Sequence, residues 1–543
     1  MTCMPPLFAV DSSVGCGARQ PPIFRTGREL LTHMDRLGVA RTLVWNIPAR
    51  DVHPYPANQR LLRDIRRLDP RGQRLIPVQV ISSPMWMDRN TADEAVALVR
   101  TGQVRALQLF PATCRFHLHH AEPFLARVAP WKPVILIDVN EVNDDRPIGA
   151  MAAAFPELNF ICLHGMWPHF YNFSLLDLLQ RHANIMVDTS GMHNRGILEK
   201  IVRDFGPTRA VFGLPHATSN GASIAQLARV DIGDADRAMI ANGTLSRLLN
   251  IEPPRTSMSS APARIGKNWA ALVTGRTPPT PAIDAHGHIG LIGHWPQEER
   301  SIIEQVDLLV RSMDALNITT MIVSGSDALF SDPVAGNRRL EQVVASRTSR
   351  IKGYLAFNPV HADALIPALN RFFRRPFFVG FKTLCDYWNI PVTDPRFEPM
   401  LRYADRHRLP ILYHTWDTCF DSPAMLTDIV ARYPNAFFLL GHSGGGDRGR
   451  HEAEELARKS PNVYLEWCGS FCSTVPWEDT LAKVGFDKVV FGTDGIFHDQ
   501  AWELGRLLSL KLPESALQPI LAANFRKILS MRRKPGHGKN NLT

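Results

Sequence analysis

The sequence lacks features that would each define a class of protein. No apolar run approaches the roughly 18 residues that cross a membrane, and no charged segment followed by an apolar stretch opens the chain as in a secretory signal. The 8 cysteines among 543 residues are too few for a disulfide framework, and Cys468 and Cys472 are the only close pair. These absences predict a soluble protein of the reducing cytoplasm.

The chain also lacks a concentrated charge. Its net charge is +9, and its lysines and arginines are scattered apart from Arg532-Arg533-Lys534 in a polar tail. A nucleic-acid interface needs a clustered basic stripe, so we expect neither a nucleic-acid nor a membrane partner. The hydrophobic fraction of 45% and the charged fraction of 21% are ordinary for a globular protein. A modest positive charge suits an enzyme that attracts small acids.

The chain contains an internal repeat. Matching segments are offset by 273 residues at the start (284 − 11) and by 279 further on (337 − 58 and 492 − 213). So steady an offset predicts a duplication. The matches include Ala9-Val10-Asp11 with Ala282-Ile283-Asp284, Asn58-Gln59-Arg60-Leu61 with Asn337-Arg338-Arg339-Leu340, and Val211-Phe212-Gly213 with Val490-Phe491-Gly492.

Each copy alternates short β-rich runs with helical patterns. This predicts an α/β protein of two tandem (β/α)8 TIM-barrel-like domains. We expect barrels over 1–252 and 280–531, a linker over 253–279 with a short helix from Lys267 to Val273, and a polar tail over 532–543. The runs of the second copy are Ala282–Asp284, Thr320–Ser324, Lys352–Phe357, Phe378–Lys382, Pro410–His414, Phe437–Gly441, Val463–Glu466 and Lys488–Gly492.

Polar side chains stand where these strands end, which is where barrel enzymes build their sites. His286 and His288 follow strand 1, and residues i and i+2 of a strand point to the same side, so both can reach the barrel axis. Imidazoles and a carboxylate suit zinc or a neighbouring transition metal. The remaining strand-end residues are Lys382 (strand 4), His414 (strand 5), His442 (strand 6) and Asp494 (strand 8).

The second copy resembles the amidohydrolase-related (amidohydrolase 2) family, which includes aminocarboxymuconate-semialdehyde decarboxylase. The resemblance is carried by Asp284-Ala285-His286-Gly287-His288, Leu412-Tyr413-His414, Leu440-Gly441-His442 and Phe491-Gly492-Thr493-Asp494. It implies one divalent transition metal, with zinc expected and manganese or cobalt as alternatives, held by His286, His288, His414 and Asp494. It also implies that His442 activates or orients a metal-activated water, or stabilises charge on the substrate, with Asp494 as a further proton acceptor.

The substrate is expected to be a small, acidic organic molecule. Lys382 and Arg338 would contact it, although some amidohydrolases carboxylate a lysine like Lys382 to bridge two metals. His294, Glu466 and His498 could contact substrate or lie in solvated loops. Hydrolysis is the first expectation, and non-oxidative decarboxylation on the same site stays open.

The first copy has lost the ligand set. His286 and His288 correspond to Ser13 and Gly15, Lys382 to Gln108, His414 to Ile137 and Asp494 to Pro215, and only His442 keeps its type, as His164. We expect this copy to bind no metal. It would pack on the second copy in place of a homodimer partner, or bind a ligand without catalysis, and further homo-oligomerisation stays open.

Two other classes compete with this interpretation. Strand-like Phe438 to Leu440 followed by Gly441-His442-Ser443-Gly444-Gly445 fits a nucleophile elbow with Ser443 as nucleophile, but leaves His286, His288 and His414 unexplained. A non-catalytic binding protein built from two degenerate barrels would leave the whole ligand set unexplained.

Overall fold

A computed structural model of the chain describes residues 4–18, 23–142, 144–164, 172–214, 221–255, 265–293, 300–469 and 477–535. The chain divides into two compact units, Met1–Gly275 and Arg276–Thr543. Each unit contains its own sheet of parallel strands.

The sheet of the first unit follows the order of the chain. Its strands pair in parallel from β1 through β3 to β9, and the two-residue β2 pairs only with β3. The strands are β1 Leu7–Ala9, β2 Ser13–Val14, β3 Val39–Asn46, β4 Leu75–Ile81, β5 Ala106–Leu109, β6 Val134–Asp138, β7 Asn159–Leu163, β8 Ile185–Asp188 and β9 Ala210–Val211.

The sheet of the second unit repeats this plan with eight parallel strands in chain order. They are β10 Ala282–Ile289, β11 Ile318–Gly325, β12 Ile351–Ala356, β13 Phe378–Thr383, β14 Pro410–His414, β15 Phe437–Gly441, β16 Val463–Glu466 and β17 Val489–Val490. Parallel strands need crossover connections, and the helices between them supply these.

Backbone hydrogen bonds bring both sheets close to a closed barrel. Val10 N, after β1, donates to Phe212 O, after β9, at 2.9 Å. In the second unit Ala285 N donates to Phe491 O at 2.8 Å, and Gly287 forms a parallel bridge with Gly495. The predicted fold of two tandem (β/α)8 barrel-like domains is confirmed.

The helices of the first unit lie between its strands and after the last one. The α-helices are Gly27–Leu37, Ile47–Asp51, Pro54–Leu68, Ser83–Met87, Arg89–Arg100, Glu122–Val128, Arg146–Ala154, Asn172–Arg181, Ile197–Phe205, Ala222–Arg229, Asp234–Ala238, Thr244–Leu248 and Lys267–Val273. Short 3-10 turns occupy Leu118–Ala121, Ala129–Trp131, Val139–Glu141 and Pro207–Arg209, and a π-helical turn occupies Met239–Gly243.

The second unit has a similar helix set, including a π-helical turn at Pro519–Ala523 in the corresponding place. Its α-helices are Ile302–Leu316, Ser326–Phe330, Pro333–Arg347, Ala362–Leu365, Leu369–Arg374, Cys385–Trp388, Glu398–His407, Thr427–Arg432, Asp447–Lys459, Trp477–Val484, Gln500–Leu508, Glu514–Gln518 and Asn524–Ser530. Its 3-10 turns are Pro359–His361, Ile366–Ala368, Pro395–Phe397, Pro423–Leu426, His442–Gly444 and Phe486–Lys488.

Local sequence explains the bounds of the first long helix of the second unit. Ser301 caps Ile302–Leu316 by accepting from Glu304 N, and the Glu304 side chain accepts from Ser301 N in return. Asn317 ends the helix in a left-handed conformation (φ 57°), which asparagine tolerates better than most residues.

Each barrel interior is filled with apolar side chains from every strand around it. The second barrel contributes, among others, Ile283, Ile322, Tyr354, Leu412 and Val490, all at most 5% exposed. A packed interior leaves chemistry to the rim, where strands end and loops begin.

Polar contacts inside each barrel also repeat. Asn184 Nδ2 donates to the carbonyl oxygens of Ala152, Phe155 and Leu158 at 3.0–3.1 Å. Asn462 Nδ2 donates to those of the matching Val430, Tyr433 and Ala436 at 3.1–3.5 Å. Corresponding asparagines thus hydrogen-bond to corresponding turns in the two copies, which supports the predicted duplication.

The strands agree with the predicted runs, and the largest difference is at strand 1. β10 continues to Ile289, so His286 and His288 lie within the strand rather than after it, beside a register irregularity between Asp284 and Gly287. The helix Lys267–Val273 forms as predicted, but Arg229 Nε donates to Leu272 O at 3.0 Å, which attaches this part of the predicted linker to the first unit.

Among the described residues, no helix combines the length and the apolar character needed to cross a membrane.

Candidate metal centre

Three donor atoms meet at the carboxyl end of the second barrel. His286 Nε2 lies 3.3 Å from His288 Nε2, and Asp494 Oδ1 lies 2.9 Å from His288 Nε2 and 3.6 Å from His286 Nε2. Asp494 follows β17 in a left-handed conformation (φ 57°), and its backbone N–H donates to His286 O at 2.8 Å. The bond across the barrel seam therefore holds the carboxylate against the two imidazoles.

The other nitrogen of each imidazole has its own partner. His286 Nδ1 lies 2.9 Å from Glu466 Oε2, and His288 Nδ1 lies 3.0 Å from Ser324 Oγ. A carboxylate can only accept, so Nδ1 of His286 carries the proton and Nε2 presents a lone pair. Such an outer partner fixes the tautomer and the ring orientation of a metal-binding histidine.

His414, at the end of β14, faces the same centre. Its Nδ1 lies 2.7 Å from Asp421 Oδ2, and Asp421 in turn accepts from Thr418 Oγ1 at 2.6 Å. The ring is 4.9 Å from that of His442, centre to centre. The same carboxylate–imidazole arrangement as at His286 thus leaves Nε2 of His414 as the nitrogen that could bind a metal.

The donor spacing fits a metal. Ligands that bind zinc at roughly 2.0–2.2 Å are separated from one another by roughly 3–3.5 Å. The three separations among His286 Nε2, His288 Nε2 and Asp494 Oδ1 are 3.3, 2.9 and 3.6 Å. The set of imidazoles and one carboxylate suits zinc, manganese or cobalt.

Burial keeps the imidazoles in the form that a metal requires. Desolvation, together with the nearby Lys382 ammonium, holds the pKa of His286 well below its usual value. Desolvation also lowers the pKa of His288 and, together with His414, that of His442. Neutral imidazole is the metal-binding state, so a cation would not have to displace protons from these rings near neutral pH.

Lys382 is the residue of β13 that enters the centre. It is 1% exposed, and its Nζ lies 2.9 Å from His286 Nε2. Desolvation lowers the pKa of this amine. Its place within reach of the donors is compatible with contact to a substrate carboxylate.

His442 and Ser443 form a tight turn after β15. Both have left-handed backbones (φ 62° and 48°), and His442 N donates to Glu466 Oε2 at 3.2 Å. Ser443 Oγ donates to Glu466 O at 2.7 Å, and among the described residues no histidine ring bonds that hydroxyl. Since a serine nucleophile needs an adjacent base, this contact does not support the nucleophile elbow.

Cys468 is a member of the centre that sequence reasoning did not identify. Its Sγ lies 3.1 Å from His286 Nδ1 and 3.0 Å from Glu466 Oε2, and the residue is fully buried. His286, His442, Cys468 and Asp494 offer a second set of possible ligand atoms, all within 4.8 Å of one another. Sγ faces the Nδ1 side of His286, where Glu466 also lies, whereas His288 and Asp494 face the Nε2 side.

Glu466 connects several parts of the centre. It is fully buried and was predicted only as a substrate contact or a solvated loop residue. Desolvation raises its pKa to about 7. Gly492 makes room for it, because a Cβ there would lie 2.0 Å from Glu466 Oε1 and 2.8 Å from His286 Cβ. This close approach explains the glycine of Phe491-Gly492-Thr493-Asp494.

The other residues considered as substrate contacts take different places. His498 is fully buried behind Asp494, with Nε2 3.8 Å from Asp494 Oδ2 and Nδ1 3.4 Å from Glu503 Oε1. Arg338 is exposed on the helix Pro333–Arg347, and within the described residues no hydrogen bond or ion pair joins it to the centre. His294 lies outside the described residues.

The corresponding end of the first barrel has other side chains. Gln108 occupies the register of Lys382, since it pairs with Val80 and Leu136 as Lys382 pairs with Ala356 and Leu412. Ser13 lies in β2 and Ile137 in β6, Gly15 follows β2, and Pro215 lies outside the described residues. None of the four described replacements offers an imidazole or a carboxylate.

The first barrel nevertheless retains His164 among carboxylates. Its Nδ1 lies 3.2 Å from Asp138 Oδ2 and its Nε2 3.8 Å from Asp11 Oδ2, while its backbone N–H donates to Asp188 Oδ1 at 2.8 Å. Burial alone would lower the pKa of His164, but Asp138, Asp188 and Asp11 outweigh it and raise the pKa to about 10. Here the histidine is a cation held by acids.

These observations define the second unit as a metal-dependent TIM-barrel enzyme. The sequence profile described as "Amidohydrolase" matches residues 283–531, so the second unit is similar to that family. No curated protein matches the sequence.

Solved structures similar to the chain include three decarboxylases, each covering 46% of it. They are 5-carboxyvanillate decarboxylase from Sphingomonas paucimobilis (13% identity, 99% of that chain, TM-score 0.35), the same-named enzyme from Novosphingobium aromaticivorans with manganese and 4-hydroxy-3-methoxy-5-nitrobenzoic acid (14%, 96%, 0.37), and 2,6-dihydroxybenzoate decarboxylase from Rhizobium (17%, 99%, 0.36).

Proposed function

We propose that the second barrel hydrolyses a small acidic organic substrate with one divalent transition metal, zinc being the first candidate. The observation that carries this proposal is the convergence of His286 Nε2, His288 Nε2 and Asp494 Oδ1 at separations of 2.9–3.6 Å. His414 is the proposed fourth ligand. A metal bound there would lower the pKa of a water and polarise a substrate carbonyl.

His442 is proposed to move the proton. Its ring lies 5.2 Å from that of His286 and 4.9 Å from that of His414, and Glu466 holds its backbone. It is 4% exposed, and burial keeps its pKa low, so it can accept a proton near neutral pH. Asp494, with a carboxylate oxygen within 4.8 Å of a ring nitrogen of His442, would be a further acceptor.

Lys382 is proposed to bind the acidic group of the substrate. Its Nζ stands 2.9 Å from His286 Nε2, where a carboxylate could contact the amine and lie beside the reacting centre. We expect Lys382→Met to raise KM for an acidic substrate far more than for its neutral analogue. Equal effects on both substrates would contradict this role.

Loss of carbon dioxide is the second candidate, and the same lysine favours it. A carboxylate between Lys382 and the metal would occupy the position from which it could leave. Product analysis distinguishes the reactions, because hydrolysis incorporates water and retains every carbon, whereas decarboxylation releases carbon dioxide and leaves a product one carbon shorter.

A substrate screen tests the proposed function. Protein reconstituted with zinc, manganese or cobalt would be assayed against small carboxylic acids and against esters, amides and lactones that carry a carboxylate. Metal-dependent turnover with incorporation of labelled oxygen from water would support hydrolysis. Metal-dependent release of carbon dioxide would replace hydrolysis with decarboxylation, and turnover that chelation leaves unchanged would contradict both.

A further inference from the structure

A groove of about 840 Å³ lies on the outside of the first barrel, between the helices Gly27–Leu37 and Pro54–Leu68. Its floor includes Val44, whose neighbours Leu43 and Trp45 point into the barrel core. Alternate residues of a strand face opposite sides, so the groove is separate from the barrel axis. The volume is within the range of small-molecule sites.

Arginines dominate the charge of the groove. Among the described residues, the groove is lined by one acid, Asp64, and by Arg25, Arg28, Arg60 and Arg67, so this part of the lining carries +3 (four minus one). Arg67 lies 3.8 Å from Asp64. In the described part of the chain, no carboxylate forms an ion pair with the guanidinium of Arg25, Arg28 or Arg60. Three exposed guanidinium groups therefore face one cavity with their donors available.

The second copy has larger, buried residues at two positions that correspond to the groove. Aligned from the residues that end the two helices, Gly38 and Asn317 (317 − 38 = 279), Thr26 and Gly27 correspond to Gln305 and Val306, both buried. Gln305 accepts from Gly290 N at 2.7 Å and donates to Arg300 O at 3.0 Å. A Cβ at Gly27 would lie 2.9 Å from Leu68 Cδ1, so even a small side chain there would narrow the groove.

The charge of the groove also reverses between the copies. Arg25 and Arg28 correspond to Glu304 and Asp307 at the same offset. Asp307 forms an ion pair with Arg347 at 2.6 Å, which ties the two helices together in the second copy. In the first copy arginine replaces that acid and Leu68 replaces its partner. At these two positions the groove of the first copy has arginines where the second copy has acids.

We propose that this groove binds a small molecule with at least two negative charges, carried by phosphate or carboxylate groups. Guanidinium groups form paired hydrogen bonds with both kinds of oxyanion, and several around one cavity would enclose such a ligand from different sides. This site is independent of the metal centre and of the proposed hydrolysis.

Calorimetric titration of the full-length protein tests the proposal, with inorganic pyrophosphate and citrate as separate probes. The binding variant carries Arg25→Glu and Arg28→Asp, the residues found in the second copy. A control carries Arg63→Glu and Arg71→Asp, which make the same change in charge at exposed positions outside the groove. A milder variant, Arg60→Gln, covers the case in which the double variant does not fold. Because both probes bind metals, each titration is repeated in a His286→Ala/His288→Ala background.

We expect saturable binding that weakens about tenfold or more in the Arg25/Arg28 variant and little in the control, since charge-assisted hydrogen bonds are lost only in the former. Binding of pyrophosphate alone would identify a phosphate ligand, and binding of citrate alone a carboxylate ligand. Absence of saturable binding, equal weakening in the control, or dependence on His286 and His288 would overturn the proposal. Tight binding of an RNA oligonucleotide without binding of either probe would overturn it as well.

Discussion

The carboxyl ends of the two barrels share some residues and differ in others. Both have a histidine in a left-handed turn after the sixth strand of the barrel, His164 and His442, with φ of 57° and 62°. In both, an acid from the next strand accepts from that backbone N–H, Asp188 in one and Glu466 in the other. The supporting residues persist, but the donors that they support exist only in the second barrel.

A glycine that packs against this acid is also present in both barrels. A Cβ at Gly213 would lie 2.3 Å from Asp188 Oδ2, just as one at Gly492 would lie 2.0 Å from Glu466 Oε1. The acid and the glycine therefore form a packing unit in both copies. The comparison indicates that this unit serves the barrel itself, and that in the second copy it also orients His286.

The largest difference between the copies should appear when the shared histidine is removed. We expect His442→Ala to lower kcat by about 10²–10⁴-fold, the usual contribution of a general acid–base, while the metal stays bound. His164→Ala is the matched control and should leave kcat unchanged. Loss of the metal from the His442 variant would instead make this residue a ligand.

Replacing the acids that accept from the two histidine backbones should affect metal affinity in only one case. Glu466→Gln removes the carboxylate partner of His286 Nδ1, and such losses weaken metal binding by about 10–100-fold. Competition with a coloured chelator measures the change in affinity. Asp188→Asn should leave the affinity as it is, and an equal decrease in both variants would point to general loss of structure.

Because His164 and His442 differ in charge, replacing each of them should change the stability of the protein with a different pH dependence. The pKa of His164 is raised to about 10, so its charge stabilises the fold fully below about 6.5, and this contribution is lost as pH rises toward 10. His164→Asn, which tolerates the left-handed turn, should destabilise the protein more at pH 6.5 than at pH 10. Denaturation midpoints across this range test it, and a constant gap would contradict it.

For His442→Asn we expect no such change with pH, because burial holds the pKa of His442 well below its usual value. Its ring is neutral across that whole range. The stability difference from the wild type should therefore not shrink between pH 7 and pH 10.

The smallest difference between the barrels is expected in the stability cost of replacing Asn184 and Asn462, which hydrogen-bond to the turns. Asn184→Ala and Asn462→Ala each leave three carbonyl oxygens without this donor, which we expect to cost about 1–3 kcal/mol. Urea denaturation should give similar costs in both barrels. A cost confined to the second barrel would mean that the first no longer depends on the shared frame.

The sequence predicted best the features that are local. Eight β-rich runs located eight strands, and His286, His288 and Asp494, which the structure brings together, were predicted as ligands because strand ends form the rim of a barrel. The partners of these residues were harder to predict. Glu466 and His286 are 180 residues apart, and Cys468 and His286 are 182 apart, so only the closed barrel shows their contact.

The cluster of groove arginines could not be predicted from the sequence either. Arg25 and Arg28 are far in sequence from Arg60 and Arg67, so the chain reads as one with scattered charge. Packing of two helices brings them to one cavity. Arg338 shows the converse, because its place near a predicted strand end suggested a substrate contact, yet it lies exposed on the following helix.

Four statements stay predictions. They are that the first copy replaces the second subunit of a homodimer, that it binds no metal, that the protein is cytoplasmic, and that the metal is zinc.

The central claim is that one copy holds the metal and the other does not. Plasma mass spectrometry on the wild type, His286→Ala/His288→Ala and the first-copy control Ser13→Ala tests it directly. We predict about one transition metal per chain in the wild type and the control, and almost none in the double-histidine variant. Two metals per chain, or one that survives the loss of both histidines, would contradict the assignment.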